Sequence, residues 1–206
     1  MTARPCPTGR SRARLACARI RAAMAEFAAD CRGSLSVEAV LALPLLCWFY
    51  VGSFVWFDAY RAQTTNARAA YTIADMISRE SGVDTGYLAG LVNVFDFMTV
   101  KGGPPTVRIT SVRCQGNCDD PSGRQLDVCW SWVNRDGRAG LGSGDLAGLD
   151  GRIPMMPLGD TLILTETALS YEPAFNVGLP TLDLEQFVVT RPRFAPEVEN
   201  GSESCY

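Results

Sequence analysis

The stretch Arg32-Gly33-Ser34-Leu35-Ser36-Val37-Glu38-Ala39-Val40-Leu41-Ala42-Leu43-Pro44 separates two regions of opposite character. An arginine-rich segment precedes it, and from Ala39 to Phe57 there is no charge at all. As a helix rising about 1.5 Å per residue, those 19 residues cover roughly 28 Å, close to the hydrocarbon thickness of a bilayer. A secretory signal peptide places its apolar region ahead of the cut, with small residues just before the cleaved bond. Here the small residue suited to processing, Gly33, comes before the apolar region, so cleavage after it would leave the helix on the mature chain.

Charge is distributed to match. Residues 1–33 carry seven arginines against Glu26 and Asp30, while residues 34–206 hold 12 basic and 20 acidic side chains. A basic block beside an apolar helix predicts a cytoplasmic N-terminus and an exported C-terminal part. A basic arm can also bind nucleic acid. The membrane span that follows directly already accounts for the charge, so no nucleic-acid partner is expected. Trp56, Phe57 and Tyr60 fall where the helix should leave the bilayer and fit an interfacial aromatic belt.

Gly33 followed by Ser-Leu-Ser-Val-Glu, with Pro44 six residues beyond Glu38, resembles the N-terminus of TadE/TadF-type minor pilins. These belong to the bacterial Tad (tight adherence, Flp pilus) assembly system. Phe57-Asp58-Ala59-Tyr60-Arg61-Ala62-Gln63 through Ile73-Ala74-Asp75 is similar to the family's second helical segment, and Phe187–Phe194 to its C-terminal run. The resemblance implies a prepilin peptidase that cuts between Gly33 and Ser34, making Glu38 the fifth residue of the mature chain. It implies a pairing role for Glu38, through the free amine of Ser34 and through contacts with neighbouring subunits. The implied setting is the bacterial inner membrane, crossed once, with the head in the periplasm or carried into a pilus. The implied partners are that membrane, the peptidase, other pilins and Tad assembly proteins. A membrane-anchored periplasmic binding or scaffold module that never enters a filament is the alternative, and a periplasmic enzyme on a signal anchor a third.

Glu38 also stands out on physical grounds. A carboxylate near hydrocarbon costs several kcal/mol by most estimates, so it needs a partner or a function. A helix dipole favours an acid at its start. However, Leu35 rather than Ser or Thr lies three residues before Glu38, so the pair is no capping box. Pro44 removes one backbone donor and should kink or loosen the helix.

No histidine occurs in the chain. That removes the usual general base and the commonest metal ligand, and with them Ser-His and Cys-His hydrolases and most zinc enzymes. Neither a Gly-x-Ser-x-Gly elbow, a P-loop nor a dinucleotide fingerprint is present; Gly137–Gly144 lacks the strand and the Lys-Ser/Thr of a phosphate loop. Asn134-Arg135-Asp136-Gly137 has its glycine at the wrong offset for a calcium loop and no closing glutamate. These features describe a non-enzyme, with no cofactor and no small-molecule substrate expected.

The eight cysteines divide by compartment. Cys6, Cys17 and Cys31 precede the processing site and would stay in a reducing cytosol, and Cys47 is a small hydrophobe within the apolar helix. Cys114, Cys118, Cys129 and Cys205 would meet an oxidising periplasm, where disulfides form. Four cysteines allow three pairings, and spacing does not choose among them. The Cys114-Gln-Gly-Asn-Cys118 spacing, with turn residues Gly116 and Asn117, suits a small loop, which would leave Cys129 for Cys205. A Cys₄ zinc site is the competing idea, but the paired Cys-x-x-Cys knuckles are missing, so no metal is expected.

Four segments follow: a basic leader over 1–33, cleaved; a transmembrane helix over 34–57; a periplasmic helical segment over 58–103; and a periplasmic β-rich head over 104–206. Leu35 to about Arg79 reads as one helix, its later half carrying Ala62, Ala69, Ile73 and Met76 at three- and four-residue steps. Arg61, Arg68, Asp75 and Arg79 lie mostly off that stripe. Tyr87–Phe97 predicts a shorter helix. Beyond Gly102-Gly103-Pro104-Pro105 the period becomes two: Val107, Ile109 and Ser111, then Leu126, Val128, Trp130 and Trp132, mark strands. Thr161–Tyr171 and Gln186–Arg193 supply two more, and residues 134–158 read as irregular with a helical turn near Leu146. Trp130 and Trp132 share one strand face and read as sheet core. A long helix followed by an antiparallel sheet of about four strands is an α+β arrangement, which the pilin resemblance also implies.

Overall fold

The computed structural model describes residues 19, 22–27, 34–99, 103–120, 123–135 and 138–205. Its chain divides into two compact units, Met1–Val51 and Gly52–Tyr206. The dominant element is α1, Ser34–Ser78, a 45-residue helix that runs without interruption through Pro44. It is the one helix among the described residues long and apolar enough to cross a membrane. Gly33 and the leader cysteines Cys6, Cys17 and Cys31 lie outside the described residues.

Within the first unit, α1 keeps its apolar side chains on the outside. Val40, Leu41, Leu43, Leu45, Leu46, Trp48, Phe49 and Tyr50 are all exposed. Such a run has no reason to persist in water, because each large apolar side chain left uncovered forgoes about 1.5–3 kcal/mol of burial.

The second unit is built around a sheet. Strands β2 (Thr106–Gly116), β3 (Gln125–Val133), β4 (Thr161–Tyr171) and β5 (Leu182–Thr190) form a four-stranded antiparallel sheet in the order β3-β2-β4-β5. The last strand begins four residues earlier than its periodicity first marks. Leu182 and Leu184 extend the alternation upstream, and Leu184 is buried although Asp183 and Glu185 flank it. Strand β1 (Gly82–Val83) and β6 (Glu199–Asn200) make a separate two-stranded parallel pair, with β1 lying in the break between the two helices of the 58–103 segment. Two-residue strands carry no readable period, so nothing local announces them.

Helices cover one face of the sheet. The later half of α1 contributes Ala69, Ala70, Ile73, Ala74 and Ile77, and α2 (Thr85–Met98) contributes Leu88, Leu91 and Phe95, all packed on Val107, Ile109, Trp130, Ile163 and Val188. The three- and four-residue steps place these α1 side chains on one stripe, while Arg61, Arg68 and Arg79 are exposed. Asp84 starts α2 by accepting from the Tyr87 amide at 2.6 Å, satisfying one of the free donors of the first turn. Trp130 is buried and its Nε1 donates to the Val198 carbonyl at 2.8 Å, so it is core, with Trp132 packed beside it.

The opposite face is covered by the irregular segment. Leu146, in a 3₁₀ helix over Ser143–Leu149, joins Ile153 and Met156 against Val112, Cys114, Leu162 and Leu164. Strand β4 is therefore buried on both sides, and Leu162, Ile163 and Leu164 are successive core residues. Arg124 ties the covering segment down. Its side chain, only 1% exposed, pairs with Asp150 Oδ1 at 3.2 Å and donates to the carbonyls of Ile153 at 2.9 Å and Pro154 at 3.0 Å.

Two disulfides brace this unit. Cys114 is bonded to Cys118, with Cα atoms 6.0 Å apart, and Cys129 to Cys205, 4.9 Å apart. Asn117 takes a left-handed φ of 50° inside the smaller ring, a conformation asparagine tolerates better than most residues. Among the described residues Cys47 is a free thiol, exposed on α1.

Candidate functional site

Two features of α1 have the chemistry of a working surface: its uncovered apolar length, and, within the second unit, the level of Asp58 where the uncharged run ends. On the first, Glu38 is exposed and has no ion pair among the described residues. Ser34 opens the helix. Pro44 sits between exposed Leu43 and Leu45 on the same stretch. Glu38 and Pro44 therefore lie among side chains available to another helix or to lipid.

At the second feature the charge-free run stops. Phe57 is its last residue and Asp58 the first charge beyond it. Tyr171, at the end of β4, donates its hydroxyl to Asp58 Oδ2 at 2.9 Å. Burial, and then the hydrogen bond and negative charge of Asp58, push the Tyr171 phenol up to about 12. It is thus neutral and a committed donor at physiological pH. Beside this bond, Ala59 and Ala62 pack with Tyr171, Leu184, Leu179 and Leu182. One helical turn above Ala62, Asn66 is fully buried and its Nδ2 donates to the Leu184 carbonyl at 3.0 Å. A cavity of about 310 Å³ opens alongside, lined by Asp58, Arg61, Ala62, Thr65, Met98, Thr99 and Leu169.

Further along, Thr190 Oγ1 donates to the Ala74 carbonyl at 3.5 Å, and the Arg193 amide to the Ser78 carbonyl at 2.8 Å. The β5 strand and the residues after it thus climb α1 from Asn66 to Ser78. Asp75 receives both Arg79 at 2.8 Å and Arg193 at 2.9 Å. The run Phe187–Phe194 is therefore a structural strap along the helix.

Of the candidates legible in the sequence, Ser34, Glu38 and Pro44 lie on α1 and the cysteine pairs in the second unit, while Gly33 lies outside the described residues. Asp58, Asn66 and Tyr171 are not among them. Asp58 carried a signal, as the first charge after an uncharged run; Tyr171 carried none, because its partner lies 113 residues away. Among the described residues no group of three or more Cys, Asp or Glu is placed to hold a metal ion. Comparison of the chain with protein-family models, curated proteins and solved structures gives no match.

Proposed function

We propose that this chain is a minor pilin of the Tad type, processed by a prepilin peptidase between Gly33 and Ser34 and used in assembling an adhesive pilus. The observation that carries the reading is the order of parts: a glycine, an acid five residues on, then an uncharged helix whose large side chains are exposed. A prepilin needs that order, because its helix has to survive processing and serve first as a membrane anchor and then as a packing surface. In the bilayer, lipid covers the exposed side chains. In a filament, the same side chains pack against neighbouring helices, with Glu38 and the new amine of Ser34 supplying the one fixed charge pairing. The arginine-rich leader keeps the N-terminus cytoplasmic and the disulfide-braced unit periplasmic.

Mass spectrometry of the mature N-terminus, after expression with a prepilin peptidase, tests the proposal. The expected product begins at Ser34, and Gly33→Leu leaves an unprocessed precursor in the inner membrane. An intact leader, or a cut downstream of Phe57, overturns it in favour of a plain anchor or a secreted protein.

A further inference from the structure

The loop joining β4 and β5, residues 172–181, has an unusual composition for a surface connection. From Pro173 to Leu182 the sequence Pro-Ala-Phe-Asn-Val-Gly-Leu-Pro-Thr-Leu contains no charged residue. Phe175 is 55% exposed. Part of the loop's backbone polarity is satisfied internally: the Val177 amide donates to the Phe175 carbonyl at 3.1 Å, and the Gly178 amide to Asn176 Oδ1 at 3.4 Å.

Its position follows from three contacts with α1. Thr190 meets Ala74, Leu184 meets Asn66, and Tyr171 meets Asp58. The β4–β5 hairpin thus runs down the helix, and its closing pair, Tyr171 opposite Leu182, falls at Asp58 and Ala59. Leu179 packs there too. The hairpin's loop is held where the uncharged run of α1 ends, at Phe57. Charged side chains stop on both elements at one level: Asp58 and Arg61 on the helix, Glu172 and Asp183 on the hairpin.

From this juxtaposition we infer that the 173–182 loop is a second membrane contact. Phe175 and its neighbours enter the interfacial layer beside the helix while Glu172 and Asp183 stay in water. The partner is the lipid surface, since the loop is contiguous with the face through which α1 would leave the bilayer and resembles it in lacking charge. Exposed apolar patches next to a membrane segment serve such contacts. The inference rests on α1 spanning the bilayer as proposed above.

Photocrosslinking of the full chain in vesicles of phosphatidylethanolamine and phosphatidylglycerol separates the two readings. p-Benzoylphenylalanine is placed singly at Phe54, Phe175 or Phe194, all exposed, and lipid-bearing peptides are found by mass spectrometry. Adducts at 54 and 175 with none at 194 are the expected result. Adducts at 54 but not at 175 overturn the loop contact and leave the membrane helix standing. No adducts at 54 overturn the membrane helix itself, and the loop contact with it. Equal adducts at 175 and 194 show indiscriminate contact with lipid and also overturn the inference.

Discussion

Tyr171 and Asp58, 113 residues apart, are joined by a 2.9 Å hydrogen bond at the point where the uncharged run of α1 ends. The bond fixes the end of β4 to the helix. With the Asn66 and Ala74 contacts it holds the hairpin along α1.

Tyr171→Phe is expected to cost about 1–2 kcal/mol near neutral pH, the size of a partly buried hydrogen bond to an acid. The cost should depend on pH. The phenol is pushed from 10.0 up to about 12 by burial and then by Asp58. The folded value lies above the unfolded one, so the tyrosine's stabilisation is fully present below about pH 10 and is lost as pH climbs toward 12. The stability gap between wild type and variant should close over that interval in urea titrations. A gap that stays constant from pH 8 to pH 12, on the order of the whole alkaline range, would contradict the assigned coupling.

The two disulfides should differ in worth. A bridge stabilises chiefly by restricting the unfolded chain, and the gain grows with the loop it closes. Cys129–Cys205 spans 76 residues and Cys114–Cys118 spans four. Replacing the first pair by serine is expected to cost about 4 kcal/mol and the second about 2 kcal/mol. Thermal unfolding of the two double variants gives the order directly. A larger loss from the short bridge would mean that native-state packing at Cys114, not chain entropy, dominates.

Arg124→Met should loosen one layer and spare the rest. The guanidinium neutralises Asp150 and satisfies carbonyls of the segment that covers the outer sheet face. Methionine keeps the hydrophobic stem and leaves the part-buried Ile153 carbonyl without its donor, at about 1–3 kcal/mol, while water can take over at the exposed Pro154 carbonyl. Amide exchange is expected to quicken over residues 143–158 with little change in β4, whose buried core residues hold the sheet independently. Uniform quickening across the sheet would show that the segment is not a separable layer.

On the proposed pilin reading, Glu38→Gln should be processed and folded normally but fail in assembly, through loss of its pairing with the Ser34 amine. Opposite charges about 4 Å apart at an effective dielectric near 20 attract by roughly 4 kcal/mol before desolvation is counted. Removing that attraction should abolish cross-links to neighbouring pilins and reduce piliation, with both disulfides intact. Normal piliation with unchanged cross-links would reduce Glu38 to an acid near a helix start.

Sequence alone determined the elements whose signal is local. The uncharged run from Ala39 to Phe57 is long enough for a membrane helix whatever surrounds it, because hydrophobicity and a 1.5 Å rise need no tertiary partner. The stripe Ala62, Ala69, Ile73 and Met76 and the alternation in β2 and β3 were legible for the same reason: each records which face of a regular element avoids water. The spacing of Cys114 and Cys118 allowed a small ring, but the choice among the three pairings came from the structure. What needed the tertiary structure was every relationship with a distant partner and no period. The parallel pairing of Gly82–Val83 with Glu199–Asn200 is one, too short to leave a pattern. The upstream start of β5 is another, because Leu184 is buried by α1 despite its acidic neighbours. The burial of Arg124 and the meeting of Tyr171 with Asp58 are two more. Each depends on which surfaces the packed sheet brings together, and side-chain identity along the chain does not specify that until the core has formed.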